Sequence, residues 1–180
     1  MKWICESSRK VIAPGVQHIL KYKKSGTVLD LGSGKGRHPI FLAKNGFTVT
    51  AVDHDEAKLA ELKKQAKIAK VRIGTKYADI RKFHTSRKYD IVIATMLLHF
   101  LQKSQIPKVI AQIKSYTKAG GLNLISVLTT KEPKGYRPHL FKKNELKNHY
   151  KDWTMLEYEE KSSKPFYSIS PCGYQPEVMT

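Results

Sequence analysis

The sequence predicts a single α/β domain built around a doubly wound, mostly parallel β-sheet. Strand and helix signals alternate along the chain, and a glycine-rich turn follows the first strand signal. Residues 89–97 form an unbroken apolar run, which is typical of a strand covered on both faces, and residues 122–129 predict another buried strand. The chain has 180 residues, of which 41% are hydrophobic, so it can bury one core of ordinary size. Functional residues are expected at the carboxyl ends of the strands, where folds of this class bind ligands.

The first half of the chain alternates regularly between strands and helices. We predict strands at residues 27–33, 47–53 and 71–78, and helices at residues 37–45 and 55–70. The first helix is expected to end at Asn45-Gly46 and the second to begin after Asp55 as its N-cap. The inward residues of the first helix are predicted to be Ile40, Phe41 and Ala43 or the stem of Lys44. The apolar face of the second helix is predicted to contain Leu59, Leu62, Ala66 and Ala69.

The second half begins with the same alternation and then changes. After a basic loop at residues 81–88, strands are predicted at 89–97 and 122–129. The helix between these strands is expected to be capped by Ser104 and to run to about Lys118, where Ala119-Gly120-Gly121 ends it. A short helix is predicted at residues 141–150. Residues 153–160 and 166–170 then resemble the two arms of an antiparallel hairpin.

The N-terminal stretch, residues 1–25, places apolar side chains among lysines, and Pro14-Gly15 interrupts it. Two interpretations stay open for this stretch. It forms a lid over the ligand site, or it forms a helix packed on the sheet edge.

Composition restricts the environment and the partners. No run approaches the roughly 20 apolar residues that a bilayer span needs, and the first residues do not resemble a secretory signal, so we expect a soluble cytoplasmic protein. Cys5 and Cys172 provide neither a disulfide framework nor a zinc spacing, and no metal is predicted. The net charge of +18 attracts polyanions, but it comes mostly from dispersed lysines. A nucleic-acid partner is therefore an alternative that charge alone does not favour, and the oligomeric state stays open.

The strongest chemical signal lies at the end of the first strand. The run from Asp30 to Gly36, DLGSGKG, has glycines that let the backbone pass close to a ligand. Asp53 ends the second strand, where a carboxylate can accept both hydroxyl protons of a ribose. A nucleoside-bearing cofactor is therefore expected.

Spacing decides which nucleoside cofactors fit. A dinucleotide fingerprint needs a small residue three positions after its second glycine, but Arg37 stands there, which disfavours NAD. A phosphate-binding P-loop needs Ser or Thr after Gly-Lys, whereas Gly36 follows Lys35, which disfavours ATP and GTP. An adenosine cofactor without phosphate remains. Asp30 would repel a pyrophosphate but can help to hold a cationic amino acid moiety.

The stretch VLDLGSGKGRHPIFLAKNGFTVTAVDHD resembles the S-adenosylmethionine (SAM) motif region of class I methyltransferases. The segments IVIATMLLHFL, AGGLNLIS and FKKNELKNHYKDWTMLEYEE resemble, in order and spacing, the tellurite-resistance (TehB-like) methyltransferases. The resemblance implies a Rossmann-like, mostly parallel seven-stranded sheet with a C-terminal antiparallel hairpin. It also implies a single methyltransferase domain, with residues 26–130 as the SAM-binding core and residues 131–180 as the substrate-side helix and hairpin.

The resemblance also implies a set of site residues. The cofactor-binding residues that it implies are Asp30, Gly32, Ser33, Gly34 and Gly36 at the methionine end, Asp53 at the ribose, His54, Asp79 and Ile80 at the adenine, and Thr95 at the end of the fourth strand. Thr95 falls between Ala94 and Met96, where the methyl group should meet its acceptor.

The acceptor side departs from the family pattern. The arginine after the glycine turn is kept as Arg37, but the asparagine that commonly follows is His38. The family tail usually carries a glycine and a His-Arg pair that this sequence lacks, and Arg137, His139 and Tyr167 are candidates to replace them. Arg37 and His99 are the candidate catalytic residues. Arg37 would attract an anionic acceptor and His99 would act as a base, although His99 lies in an apolar run that suits a core position.

Three functions are compatible with these observations. The leading hypothesis is methyl transfer to a small acceptor, such as a tellurite- or selenite-type oxyanion or another small polar molecule. The basic loop and net charge suggest an RNA methyltransferase instead, although the position after the fourth strand reads ATML rather than an Asn-Pro-Pro-aromatic motif. A non-catalytic SAM-binding module is the third hypothesis.

Overall fold

The computed structural model describes residues 11–130 and 138–160. These residues form five α-helices and five β-strands, with two short 3₁₀ turns, at 98–100 and 103–105, before the fourth helix. In chain order the elements are α1 (Pro14–Tyr22), β1 (Gly26–Leu31), α2 (Arg37–Lys44), β2 (Phe47–Asp53), α3 (Glu56–Ile68), β3 (Ile73–Tyr77), β4 (Tyr89–Thr95), α4 (Ile106–Ser115), β5 (Thr117–Ser126) and α5 (Glu145–Asn148).

The five strands form one parallel sheet in the order β3-β2-β1-β4-β5. One face packs against α1, α2 and α3 through residues such as Val28, Val49 and Ile93. The other face packs against α4 and the α5 region through Leu29 and Val92. Helices therefore cover both faces, which confirms the predicted doubly wound α/β architecture and the burial of β4, apart from the half-buried Asp90.

The predicted seven strands and C-terminal hairpin are not found in the part of the chain that the structure describes. Its sheet has five strands, and residues 153–160 contain no strand. The side chains of this segment contact α1 and the residues that follow α5 instead of a neighbouring strand. Glu157 accepts hydrogen bonds from Tyr22 and His18 of α1, and Trp153 packs edge-to-face on Tyr150. The second predicted arm, residues 166–170, lies outside the described residues.

The local signals in the first half of the chain are confirmed, with one correction. The Asp55 side chain accepts a hydrogen bond from the Lys58 backbone N–H and caps α3, and the predicted α3 face is buried or half-buried. The inward face of α2 was predicted only in part. Ile40, Phe41 and Ala43 are half-buried against the core, as predicted. The fully buried residues are instead His38, Pro39 and Leu42, which lie on the side of α2 that faces the sheet and α1.

The boundaries around α4 differ from the prediction for two physical reasons. Ser104 is not a cap, because Gln102 and Gln105 already satisfy each other's backbone N–H groups across the first turn. Gly121 does not follow a helix end but lies within β5, where a Cβ atom would stand 2.9 Å from the Asp90 carbonyl oxygen of β4. The glycines therefore permit a close, irregular start of strand pairing rather than ending the helix.

Pro14 does not interrupt the N-terminal segment but begins α1. A proline at the first helical turn loses no hydrogen bond and has a backbone angle suited to a helix. Val16 and Ile19 of α1 are buried against the β1 and β4 side of the sheet, so this helix packs on the sheet face. Residues 1–10 lie outside the described part.

Candidate functional site

The glycine turn after β1 is bound to the end of β2 by backbone hydrogen bonds. The N–H groups of Gly32 and Ser33 both donate to the Val52 carbonyl oxygen, at 2.8 and 3.1 Å. The Gly34 N–H donates to Oδ2 of Asp53 at 2.8 Å. The two strongest features of the sequence, the glycine run and the acid at the second strand end, therefore form one structural unit at the carboxyl edge of the sheet.

The three glycines of the turn have positive φ angles but different surroundings. A Cβ atom on Gly36 would lie 2.4 Å from Cγ of Leu62 in α3, and one on Gly32 would lie 2.8 Å from Cδ1 of Leu97. A Cβ atom on Gly34 would meet no atom within 4 Å. Gly32 and Gly36 thus permit close packing, whereas Gly34 borders open space that a ligand can occupy.

Asp30 and Ser33 carry buried oxygen atoms without hydrogen-bond partners in the part of the chain that the structure describes. Asp30 is 1% exposed. Burial, followed by the nearby negative charge of Asp53, raises the pKa of Asp30 well above its usual value, and the positive charge of Arg37 opposes this shift. An unpaired buried carboxyl group is costly, so Asp30 is suited to a cationic or hydrogen-bond-donating ligand.

Asp53 is oriented by its own neighbours. Its Oδ1 atom accepts from the Asp55 N–H at 3.0 Å while Oδ2 accepts from Gly34, and the carboxylate is 5% exposed. Each oxygen retains a second lone pair, so the carboxylate can still accept hydroxyl protons. His54 is largely exposed, with Nδ1 at 3.6 Å from Oδ1 of Asp53.

The Asp79 region lies beside this turn at the end of β3. The Ala78 N–H donates to the Asp53 carbonyl oxygen at 3.0 Å, which joins the two strand ends. Asp79 forms an ion pair with Arg81, whose hydrogen bonds lower the pKa of Asp79 to about 2. Ile80 is half-buried and packs against the apolar core on the α4 face of the sheet. The predicted adenine-side residues therefore lie near one another, with Asp79 charged and already paired.

The end of β4 completes the carboxyl edge. Ala94 and Thr95 are buried, whereas Met96 is 42% exposed and has a φ angle of +54°. This left-handed conformation is unfavourable for a side chain of this kind and is held by hydrogen bonds from the Met96 N–H to Ser126. Backbone strain of this kind is concentrated at functional sites, and it presents Met96 to solvent where the strand ends.

Arg37 and His99 lie in different settings. Arg37 is the exposed first residue of α2, and its charge influences the pKa of both Asp30 and His38, which places it beside the turn. His99 is 1% exposed, and its Nδ1 atom accepts from the Leu128 N–H at 3.3 Å. This packed, hydrogen-bonded position suits a residue that supports the site wall.

His139 lies in the segment that follows β5 and contacts His99. Its backbone N–H donates to the His99 carbonyl oxygen at 3.4 Å, and its Nε2 atom lies 2.8 Å from Oε1 of Glu145. Arg137 and Tyr167, the other candidates for the acceptor side, lie outside the described residues.

His38, for which the sequence predicts no function, is a buried residue that contacts Thr95. Its Nδ1 atom lies 3.1 Å from Oγ1 of Thr95, and its ring is 4% exposed. The two residues are 57 positions apart. Only the position of His38 directly after the glycine turn, where a helix starts toward the site, could have drawn attention to it.

Comparison with known proteins identifies the family. Residues 9–166 match the family described as Tellurite resistance protein TehB. The chain belongs to the TehB family. One relative, the probable S-adenosyl-L-methionine-dependent methyltransferase TehB of Haemophilus influenzae, is 37% identical over 136 residues, which cover 74% of this chain and 48% of that protein. The chain therefore spans about half the length of the curated TehB relatives that it matches.

Solved structures agree with this membership. The crystal structure of TehB from Haemophilus influenzae superposes with a TM-score of 0.77 at 34% identity, covering 83% of this chain and 54% of that one. A S-adenosylmethionine-dependent methyltransferase from Clostridium acetobutylicum shares the fold, with a TM-score of 0.61 at 16% identity, covering 69% of this chain and 54% of that one. The present chain thus has the Rossmann-like methyltransferase fold. Over residues 11–130 and 138–160, no helix has the length and apolar character to cross a membrane.

Proposed function

We propose that this TehB-family chain is a SAM-dependent methyltransferase that acts on a small anionic or polar acceptor. The observation that carries the proposal is the pair of buried, unpartnered polar side chains, Asp30 and Ser33, next to the open side of Gly34 in the described structure. A ligand with a cationic amino acid moiety would satisfy these groups. In this proposal residues 26–130 form the cofactor-binding core and residues 131–180 the acceptor side of one domain.

In this proposal each part of SAM has candidate contact residues. Asp30, Ser33 and the glycine turn would hold the methionine end, and Asp53 would accept the ribose hydroxyl protons. His54, Asp79 and Ile80 would border the adenine. When bound, SAM supplies a sulfonium-activated methyl group that an acceptor attacks in line.

The protein contributes mainly by positioning the reactants and excluding water. In this proposal Thr95 and Met96, at the end of β4, would separate the cofactor side from the acceptor side. We propose that Arg37 attracts an anionic acceptor through its exposed guanidinium group. An acceptor of this kind needs no base at the moment of attack, and the buried position of His99 supports a packing role for this histidine rather than a role as a base.

A direct test is to incubate the purified protein with methyl-labelled SAM, a tellurite and selenite mixture with thiol, and total cell RNA. Label in the volatile fraction supports a small acceptor. The same assay with Arg37→Ala should give a higher Michaelis constant for the acceptor, and unchanged kinetics would remove Arg37 from the proposal. SAM binding without transfer to any fraction would point to a binding module.

An RNA acceptor is the second candidate, favoured by one observation. The basic side chains of the loop at residues 81–88 are exposed, and the chain carries a net charge of +18. Such a surface binds phosphate backbones with a strong dependence on salt. Label in the RNA fraction that is lost when Lys82 and Lys88 are both changed to Gln would support this function.

A further inference from the structure

His38 joins two parts of the chain that are distant in sequence. Its Nε2 atom receives a hydrogen bond from the Ala13 backbone N–H at 3.4 Å, and its Nδ1 atom lies 3.1 Å from the Thr95 hydroxyl. Ala13 immediately precedes α1, His38 belongs to α2, and Thr95 ends β4. The ring therefore connects the N-terminal segment to the strand end that borders the proposed site.

These two contacts determine where the ring proton lies. A backbone N–H can only donate, so Nε2 must be the unprotonated nitrogen that accepts from Ala13. In a neutral ring Nδ1 then carries the hydrogen and donates it to Oγ1 of Thr95. Burial, followed by the charge of Arg37, lowers the pKa of His38 to about 4, so the ring is neutral at pH 7.

The direction of this hydrogen bond has a consequence for Thr95. Because its oxygen accepts from His38, its own hydroxyl hydrogen must be directed to another acceptor. Asp30 pairs with Ile93 in the β1–β4 register, so Thr95 lies two residues further along, at the level of Gly32. The Thr95 side chain therefore stands at the level of the glycine turn, where the nearby Arg37 adds a positive charge.

We propose that His38 is a positioning residue that holds the Thr95 hydroxyl as a hydrogen-bond donor to an anionic oxygen of a bound ligand. This inference rests on the proposed function. The oxygen belongs either to the carboxylate of the cofactor or to an oxyanion acceptor, which share the same chemistry. Through Ala13, the same ring also fixes the start of α1 relative to the end of β4.

The ring tautomer is the first test. Protein labelled with ¹⁵N-histidine and free of ligand is studied by long-range ¹H–¹⁵N correlation spectroscopy, and the His38 signals are identified by their loss in His38→Asn. We expect the pattern of a ring protonated at Nδ1. A ring protonated at Nε2 would overturn the proposal. This measurement does not depend on activity.

Two matched variants then separate the two hydrogen bonds. The amide of Asn occupies the position of Nδ1 and can donate to Thr95, whereas the amide of Gln occupies the position of Nε2 and can accept only from Ala13. Both substitutions remove the ring, so both lose similar packing. We expect His38→Gln to weaken ligand binding at least about tenfold more than His38→Asn, as for a lost hydrogen bond to a charged group.

Thr95→Val, which removes the hydroxyl, and Thr95→Ser, which keeps it, form the matching pair on β4. We expect Thr95→Val to weaken ligand binding more than Thr95→Ser, by at least about tenfold. The affinity for S-adenosylhomocysteine and the acceptor Michaelis constant distinguish the two sources of the anionic oxygen. If the variants weaken only the binding of S-adenosylhomocysteine, the oxygen belongs to the cofactor. If they raise only the Michaelis constant for the acceptor, the oxygen belongs to the acceptor. Equal effects of Asn and Gln would reduce His38 to a packing residue and overturn the proposal. A wild-type protein that binds no S-adenosylhomocysteine would instead refute the proposed function.

Discussion

Gly34 and Gly36 are two residues apart and have opposite structural roles. In Gly36→Ala the new methyl group meets Leu62 and the backbone keeps a φ of +86°, so we expect a loss of roughly 2–4 kcal/mol in the free energy of unfolding. In Gly34→Ala only the φ of +55° is unfavourable, and the methyl group enters open space. This second variant should lose cofactor affinity more than stability. Urea denaturation and calorimetry measure the two effects, and the reverse ranking would refute the assignment.

Asp53 is the residue whose replacement tests the ribose contact. Asp53→Ala should weaken SAM binding by about 1–3 kcal/mol, because a hydrogen-bonded charged group is lost from a buried site. Asp53→Asn keeps an oxygen that can accept from the Gly34 N–H, so it separates the order of the turn from the contact with the ligand. We expect a smaller loss for Asn than for Ala in calorimetry. Unaltered affinity in both variants would be incompatible with the proposed site.

His38 should make stability depend on pH. Its pKa is about 4 in the folded protein against an ordinary value of 6.5, so between these values the unfolded chain binds a proton that the folded chain does not. The free energy of unfolding should therefore fall as the pH falls below about 6.5, by up to about 1.4 kcal/mol per pH unit from this group. Denaturation curves of wild type and His38→Asn check this prediction. Parallel pH profiles for the two proteins would contradict it.

At the scale of elements, Asp90 joins three neighbouring strands at the amino edge of the sheet. Its Oδ2 atom accepts from the Thr27 N–H and hydroxyl of β1, both at 2.8 Å, and from Lys118 of β5 at 3.0 Å. These bonds hold the pKa of Asp90 well below its usual value. Asp90 thus aligns β1, β4 and β5 at the edge opposite the glycine turn.

We expect Asp90→Ala to reduce the free energy of unfolding by about 1–3 kcal/mol at pH 7. Because the folded pKa is depressed, this contribution is present above the unfolded value near 3.8 and decreases as the pH falls below it. The difference from wild type should therefore shrink in urea denaturation at pH 3. Asp152→Ala is the matched control, since the Asp152 side chain is 62% exposed and solvent screens its pair with Lys114, so this variant should change the free energy of unfolding little.

The elements also show which information was local in the sequence. The order of strand, glycine turn, helix and strand from β1 to β2 was predicted correctly, and so was the start of α3. These elements are specified by apolar runs, by the helix end at Gly46 and by the N-cap Asp55, which are signals that depend only on residues a few positions away. The start of β5 at Thr117 was missed because Gly121 serves a contact with β4 rather than a helix end. The contact between His38 and Thr95 depends on the packing of α2 on the sheet, which no short segment encodes.

At the scale of the whole molecule, the net charge of +18 opposes the compact state through repulsion. Raising NaCl from about 20 to 500 mM shortens the screening length several-fold and should raise the free energy of unfolding. Urea denaturation at the two salt concentrations measures this effect. A double variant, Lys82→Gln with Lys88→Gln, removes two exposed charges and should show a smaller increase. A free energy of unfolding that falls with salt would indicate that attractive ion pairs dominate.

The pairing of β1 with β4 determines when the site can form during folding. Thr27 and Asp90 are 63 positions apart, whereas Gly34 and Asp53 are separated by only 19. The entropic cost of closing a loop rises with its length. The glycine turn can therefore form its contacts with the end of β2 before β4 pairs with β1 on the other side of the ligand site. During synthesis the chain would therefore form the glycine turn with Asp53, which is one half of the proposed cofactor site, well before Thr95 reaches its position. Ligand-binding competence would then mark a later step of folding than the assembly of the glycine turn.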